Sequence, residues 1–271
     1  MSINLKKIGF VLKAVMWVVL IYAEAQGMTV VTTMKEIYPF LEKLSSKDLV
    51  VFDIDNVILV PKDQAVRPCG RELRHYHWEQ IRNTSPKNYS LYRKIAFEQL
   101  NFELVDPEIL RVLEYLRRRN INVIALTAFS DEPFLKKGAE RRVQLLESMG
   151  VQFDTIQVTR HPLLTPFLQI KGVVFTRKKP KGEVLKSFLQ ATQLNPDRLV
   201  FIDDKKANLE SVQESLESRT PLDLLHFKSK NLADSTKLDS QMVAKQFEHL
   251  KNHRVWLSDK QISAFTNHSV H

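Results

Sequence analysis

The chain has 271 residues, of which 44% are hydrophobic and 26% charged, a composition typical of a globular protein. That length suits one large domain, or one domain that carries an insertion. The formal net charge is +9, but the basic residues are scattered, so we interpret them as a solvated surface and expect no nucleic-acid partner. Because Cys69 is the only cysteine, an intramolecular disulfide and a cysteine-based zinc site are excluded.

The N-terminus has the pattern of a cleavable signal peptide. A positively charged start precedes an apolar run over residues 14–23, and a small-x-small sequence ends at Ala25. Lys13 and Glu24 border the apolar run, which is shorter than the ~20 residues that a transmembrane helix needs. We therefore expect cleavage after Ala25, no stable membrane span afterwards, and a periplasmic or secreted protein.

Apolar, mostly β-branched runs alternate with helical patterns along the rest of the chain. Such runs predict buried strands, and their alternation with helices favours a parallel sheet with right-handed crossovers. The predicted strands start at residue 49 and lie at 122–126, 172–175, 199–202 and 222–227. The predicted helices begin near Met34, Pro107, Asp131, Gly182 and Leu209.

Two segments interrupt or follow this alternation. Residues 61–104 contain prolines, many charges and two short helical patterns, which predicts a small helical insertion over the end of the first predicted strand. The C-terminal segment is helical and polar, and we expect its apolar residues Met242, Val243, Phe247 and Leu250 to dock it on the body. The predicted organisation is a signal peptide at 1–25, a core at 26–60 and 105–230, a helical cap insertion at 61–104 and a helical extension at 231–271.

Polar side chains follow three of the predicted strands. Asp53 and Asp55 follow the first strand. Because they are two residues apart, their side chains lie on the same side of an extended chain. Thr127 follows a second strand, and Asp203 and Asp204 follow a third. If the three strands are neighbours in one parallel sheet, these side chains converge on one crevice. Clustered carboxylates repel each other unless a cation neutralises them, and a hard ion with oxygen ligands such as Mg²⁺ is the natural occupant.

A basic segment, residues 177–182, precedes the helix between the last two of these strands. A lysine and a hydroxyl beside Mg²⁺ form a cradle for a phosphoryl group. Lys178, Lys179 and Lys181 are all candidates for that lysine. We select Lys181 because it directly precedes a glycine and a helix start, where the helix dipole also favours phosphate.

In this order, Asp53-Ile54-Asp55-Asn56-Val57, Thr127, Lys181 and Asp203-Asp204 resemble the four motifs of the haloacid dehalogenase (HAD) superfamily. The resemblance covers roughly residues 48–216, and with its leader the chain is similar to exported bacterial acid phosphatases and to an uncharacterised exported group of that superfamily. It implies an α/β fold, a three-layer sandwich with a Rossmann-like parallel sheet and a small helical cap inserted after the first strand. It also implies Mg²⁺-dependent hydrolysis of phosphomonoesters.

The resemblance further implies roles for single residues. Asp53 would attack phosphorus as the nucleophile and form an aspartyl-phosphate. Asp55 would protonate the leaving oxygen and then deprotonate the hydrolytic water. Thr127 would donate a hydrogen bond to a phosphoryl oxygen, and Lys181 would offset the negative charge of the nucleophile and the phosphate.

The implied metal ligands are Asp53, the backbone carbonyl of Asp55, and Asp204. The sequence Phe-Ile-Asp-Asp-x-x-x-Asn aligns Asp204 with the invariant aspartate of the superfamily. Asp203 would be a second ligand or a supporting residue, and Asn208, one helical turn on, would support the metal-binding carboxylates.

A competing hypothesis is a non-enzymatic binding or host-interaction protein that has kept the scaffold. The complete set of acids argues against it, because decayed sites usually lose the nucleophile first. The expected partner is a phosphorylated small molecule, while the identity of that substrate and the oligomeric state stay open.

Overall fold

The computed structural model describes residues 27–128, 135–159, 166–216, 220–232 and 238–268. The predicted leader and the predicted helix start at Asp131 lie outside these residues. Within the described ranges, no helix combines the length and the apolar character that crossing a bilayer requires.

The centre of the protein is a seven-stranded sheet, accompanied by a two-stranded ribbon. The strands are β1 (Thr29–Val31), β2 (Leu49–Phe52), β3 (Leu59–Pro61), β4 (Phe102–Leu104), β5 (Asn122–Thr127), β6 (Leu168–Ile170), β7 (Val173–Phe175), β8 (Leu199–Asp203) and β9 (Leu222–Phe227). The order in the sheet is β1, β9, β8, β2, β5, β7, β6, and all neighbours are parallel except β6 with β7. Strands β3 and β4 pair with each other, antiparallel.

Helices cover both faces of the sheet. They are α1 (Tyr38–Leu41), α2 (Arg71–Thr84), α3 (Tyr89–Gln99), α4 (Ile109–Arg118), α5 (Leu135–Ser148), α6 (Lys181–Thr192), α7 (Lys206–Leu216), α8 (Ser240–His253) and α9 (Asp259–His268). One face packs against α1, α4 and α5, and the other packs against α6 and α7. The predicted three-layer α/β sandwich with a Rossmann-like parallel sheet is therefore confirmed.

Strand β2 shows how both faces of the sheet are buried from solvent. All four of its residues are fully buried. Val50 and Phe52 belong to the apolar cluster on the α4 side, whereas Leu49 and Val51 belong to the cluster on the α6 side. Because successive side chains of a strand point to opposite faces, a continuous apolar run is what helices on both faces require.

Three local features differ from what the sequence predicts. Strand β1 precedes the strand that carries Asp53, and its three residues are too few for a periodic signal. The expected helix near Met34 is a 3-10 turn, Met34–Ile37, followed by the single turn of α1. Strand β6 adds an antiparallel edge beside β7.

Within the predicted insertion, residues 61–104, helices α2 and α3 lie between β3 and β4. In the ribbon, Leu59 is paired with Leu104 and Pro61 with Phe102. The chain therefore leaves the core just after Asp55 and returns beside the point where it left.

The C-terminal helices pack on this insertion. Val243, Phe247 and Leu250 of α8 share a buried apolar cluster with residues of α2 and α3, so the surface on which they dock is the insertion. Burying a carboxylate is unfavourable unless it is hydrogen-bonded, and the buried carboxylate of Asp63 accepts hydrogen bonds from Trp256 Nε1 (2.9 Å) and from the backbone N–H of Asp259 (3.1 Å). We call the predicted insertion, residues 61–104, and residues 238–268 together the composite cap.

Gly182, in the first turn of α6, allows that helix to approach α7 closely. A Cβ at this position would lie 1.9 Å from Ser211 O and 2.4 Å from Ser215 Oγ. The N–H of Gly182 donates a hydrogen bond to Ser211 Oγ (3.1 Å), which fixes the contact. Any larger residue must push the two helices apart.

The variant Gly182→Ala is expected to lower the free energy of unfolding by about 1–3 kcal/mol, because overpacking outweighs the better helix propensity of alanine. Urea denaturation measures the effect. Gly27→Ala is the matched control, since nothing lies within 4 Å of the Cβ built there. Equal stability of the two variants would contradict the close approach of α6 and α7.

Candidate active site

The carboxyl ends of three adjacent strands meet at one edge of the sheet. Strand β2 lies between β8 and β5, with Phe52 opposite Ile202 and Ala125. The N–H of Asp53 donates to Ile202 O (2.8 Å), so Asp53 lies beside Asp203. The strands that the sequence analysis required to be neighbours are therefore neighbours.

Three carboxylates form a compact cluster at this edge. One oxygen from each of Asp53, Asp203 and Asp204 lies within 4.8 Å of the others. Asp53 and Asp203 are only 4% and 0% exposed, and Asp204 is half-buried. Removing each ionised carboxylate from water costs several kcal/mol, so the cluster requires positive charge.

Lys181 supplies one positive charge. Its Nζ lies 2.7 Å from Asp53 Oδ1 and 2.7 Å from Asp203 Oδ2, and its side chain is 1% exposed. Burial alone would lower the pKa of Lys181, but the charges of these two carboxylates and their hydrogen bonds outweigh it, so the pKa is raised. The lysine is therefore held as an ammonium between the two acids.

Of the three candidate lysines, Lys181 is thus the one that reaches the carboxylates. Lys178 is exposed, and the exposed side chain of Lys179 lies 3.7 Å from Glu183. The N–H of Gly182 is bonded to Ser211 Oγ (3.1 Å), so this donor at the start of the helix is not free for phosphate.

The charge of the cluster is not balanced by Lys181 alone. Burial raises the pKa of the Asp53 carboxyl to about 8, against the opposing effect of Lys181 and with the help of the neighbouring acids. Burial likewise raises the pKa of Asp204. The cluster therefore has a tendency to take up one more cation, either a proton or a metal ion.

Asp204 carries the oxygen best suited to a metal ion. Among the described residues, its buried Oδ1 has no hydrogen-bond partner, while Oδ2 accepts from Asn56 Nδ2 (3.0 Å). In contrast, Asn208 Nδ2 donates to both oxygens of Asp203 (2.9 and 3.1 Å), and the N–H of Lys205 donates to Oδ1 (2.8 Å). Hard oxygen donors of this kind suit Mg²⁺.

Asp55 lies beside the cluster and its carboxylate is not part of it. The chain turns sharply here, because Ile54 O accepts the N–H groups of Ile58 and Leu59 (2.9 Å each). Asn56 takes a left-handed conformation, φ 65°, which asparagine tolerates better than most residues. The side chain of Asp55 is 49% exposed, and its Oδ1 lies 3.2 Å from Arg142 Nη2.

Thr127 ends β5 in a buried position, as the sequence analysis expected. Its carbonyl accepts the N–H of Thr176 (3.0 Å), which follows β7. Thr176 Oγ1 is buried and has no hydrogen-bond partner in the part of the chain that the structure describes. A second hydroxyl therefore lies near this edge of the sheet.

Three residues near the site were missed by sequence reasoning: Asn56, Arg142 and Thr176. Asn56 had a signal, since an asparagine directly after two acids in a turn can hold a left-handed conformation and donate to a carboxylate. Arg142 had none, because it lies in a helical pattern rich in charges and reads as a solvent-exposed residue. Thr176 follows a strand end, which was the signal that identified Thr127.

Comparisons with known proteins give a family and several structural likenesses, of which two are described. A family model described as "Protein of unknown function (DUF2608)" matches residues 30–263. No curated protein matches the sequence. A solved haloacid dehalogenase-like protein from Burkholderia xenovorans LB400 is 16% identical with a TM-score of 0.37, and the alignment covers 65% of this chain and 80% of that chain.

The second structure is a HAD family enzyme from Bacteroides thetaiotaomicron, 11% identical with a TM-score of 0.38, with 70% of this chain and 97% of that chain covered. Both TM-scores are low, so neither likeness identifies the chemistry of the site.

Lys181→Met is expected to lower the free energy of unfolding by about 3–5 kcal/mol, because it leaves two buried carboxylates without their counter-charge. Chemical denaturation in the presence of a chelator measures the loss. Lys179→Met is the control: its ammonium is exposed, and we expect a change of at most about 0.5 kcal/mol. Equal stabilities of these two variants would show that Lys181 is not the buried counter-charge.

Without metal, the protein is expected to lose stability as pH rises from about 4 to about 8. In this window folded Asp53 keeps a proton that the unfolded chain has released, so a rise in pH favours unfolding. Mg²⁺ should remove this slope, and its apparent affinity should rise with pH as it displaces the proton. Thermal unfolding with chelator or Mg²⁺ across this pH range measures both effects, and Asp53→Asn is the control. The slope should become smaller in Asp53→Asn, where the raised pKa of Asp204 still contributes, and a slope of unchanged size would assign it to other groups.

Proposed function

Since the chain belongs to the family described as "Protein of unknown function (DUF2608)", we propose a function from its own site. The protein is an Mg²⁺-dependent phosphomonoester hydrolase that acts through an aspartyl-phosphate at Asp53. The observation that carries this proposal is the buried ammonium of Lys181, 2.7 Å from both Asp53 and Asp203. A nucleophilic carboxylate beside a lysine and metal-binding acids is an arrangement suited to phosphoryl transfer.

Asp53 is the proposed nucleophile. Among the described residues, Ile54 N–H and Lys181 Nζ both contact its Oδ1 (2.7 Å each). Oδ2 is therefore the oxygen left for attack. Its bond to phosphorus forms as the bond between phosphorus and the leaving oxygen breaks, while Lys181 offsets the negative charge beside it.

The proposed metal ligands are Asp53, Asp204 and the backbone carbonyl of Asp55. Oδ1 of Asp204, which is buried and has no hydrogen-bond partner among the described residues, supports this assignment. Bound Mg²⁺ would offset the negative charge of the carboxylates and of the phosphoryl oxygens. Asn208 supports the set through its hydrogen bonds to Asp203, and Asn56 holds the second oxygen of Asp204.

Asp55 is the proposed acid and base. In the first step its proton passes to the leaving oxygen, and in the second it removes a proton from the water that hydrolyses the aspartyl-phosphate. Its half-exposed side chain, beside the buried cluster, supports a role at the boundary between the phosphoryl group and the leaving group. Thr127 would donate a hydrogen bond to a phosphoryl oxygen.

The proposed substrate is a phosphorylated small molecule. The chain leaves the core for the insertion directly after the turn that carries Asp55, so the composite cap is the element best placed to contact a leaving group. Export remains a prediction from the leader sequence, and it would place the hydrolase in the periplasm or outside the cell.

A panel of phosphomonoesters, assayed with Mg²⁺ and with a chelator, tests the function. We expect Mg²⁺-dependent turnover, and a loss of at least about 10³-fold in kcat for Asp53→Asn, because the nucleophile is removed. Asp48→Asn is the matched control. It changes a buried acid at the opposite end of β2, bonded to Ser45 N–H, and should keep wild-type turnover.

An Asp53→Asn variant with full activity would contradict the proposed nucleophile. Failure of the wild-type protein to turn over any phosphomonoester would contradict the proposed function. Metal binding without turnover would instead favour the competing hypothesis, a binding protein that has kept the scaffold.

A further inference from the structure

We propose that Arg142 is a positioning residue for Asp55, and that it couples the composite cap to that carboxylate. This inference rests on the proposed function, in which the proton of Asp55 passes to the leaving oxygen. It identifies a residue outside the four motifs and gives the insertion a role in the reaction.

The first observation is the burial of Arg142. The residue lies on α5 in the core, and its side chain is only 6% exposed. Arginine is almost never buried to this extent unless it is paired. Its partner is Asp55, with Nη2 3.2 Å from Oδ1, and within the described residues this is the one ion pair of Asp55.

The second observation is where the guanidinium lies. Its Cζ is 4.7 Å from the ring centroid of Phe102 and 5.7 Å from that of Phe97. Phe102 begins β4, the strand that leads back from the insertion, and Phe97 belongs to α3 of the insertion. Cations are attracted to aromatic faces at these distances. The position of the guanidinium therefore depends on how the insertion sits on the core.

The third observation is an unsatisfied donor. Arg142 Nη1 is buried and, among the described residues, has no hydrogen-bond partner. Leaving a buried charged donor unpaired is destabilising, so the arginine is not explained by stability alone. Local features that oppose stability are found preferentially at functional sites.

These contacts form one continuous connection from the insertion to the reacting groups. The phenyl rings hold the guanidinium, and the guanidinium contacts Oδ1 of the half-exposed Asp55, which leaves Oδ2 to carry the proton that passes to the leaving oxygen. Without Arg142, the side chain of Asp55 is free to turn towards solvent. Its proton would then reach the leaving oxygen less often.

Comparing substrates with different leaving groups tests whether Arg142 positions Asp55. The parameter kcat/KM reports the steps up to cleavage of the bond between phosphorus and the leaving oxygen. An alkyl alkoxide is a poor leaving group and needs the proton of Asp55, whereas p-nitrophenolate leaves without one. A defect in positioning Asp55 therefore affects alkyl phosphates far more than p-nitrophenyl phosphate, while a merely structural defect affects both equally.

Arg142→Met keeps an unbranched side chain against both rings and removes the charge. We expect kcat/KM for an alkyl phosphomonoester to fall about 10²-fold or more, and for p-nitrophenyl phosphate by less than about tenfold. Arg142→Lys keeps the charge and should recover part of the difference. Arg141→Met, which changes the exposed neighbour on α5, is the matched control and should keep both values.

Phe102→Leu tests the connection to the cap. It should show the same preference for the better leaving group, with a smaller loss than Arg142→Met. If Arg142→Met does not fold, Arg142→Lys carries the test, with an intermediate preference expected.

Equal losses on the two substrates in the Arg142 variants would overturn the inference and leave the proposed function intact. A Phe102→Leu variant with wild-type values on both substrates would overturn the coupling to the cap. Absence of turnover by the wild-type protein would overturn the proposed function, and the inference with it.

Discussion

The interaction on which the rest of the site depends is the ammonium of Lys181 between the carboxylates of Asp53 and Asp203. Buried carboxylates at neighbouring strand ends repel each other, and this one cation links them. Its position requires that α6 begins close to α7, which the absence of a side chain at Gly182 allows. The packing of two surface helices thereby sets the electrostatics at the end of the sheet.

Lys181 does not balance all of the negative charge of the three carboxylates, so the site favours an additional cation. Burial raises the pKa of Asp53 to about 8, so an additional cation is favoured at neutral pH. Asp204 retains a buried oxygen without a hydrogen-bond partner in the described part of the chain, while Asp203 is fully occupied by Asn208, Lys205 and Lys181. Adjacent aspartates in the sequence therefore have different environments.

The sequence was sufficient for five of the seven described strands of the sheet and for the cluster of Asp53, Asp203 and Asp204, because both depend on local patterns. A strand buried on both faces is a short apolar run, as in β2, and a polar residue at its end is visible without knowing the fold. Contacts between elements that are far apart in the sequence produce no such local pattern. In the sequence, Arg142 is one of several charged residues in a helical pattern, and its contact with Asp55 is not predictable. The sequence of α8 likewise does not predict that Phe247 docks on the insertion. Strand β1 is too short to have a period.

The central claim is that the carboxylate of Asp53 carries the phosphoryl group during turnover. The direct test is to quench the protein during turnover, reduce it with borohydride and analyse its peptides by mass spectrometry. An acyl phosphate is reduced to an alcohol by this treatment. The account predicts conversion of residue 53 to homoserine, dependent on both substrate and Mg²⁺. Conversion of another residue, or turnover with residue 53 unchanged, would contradict it.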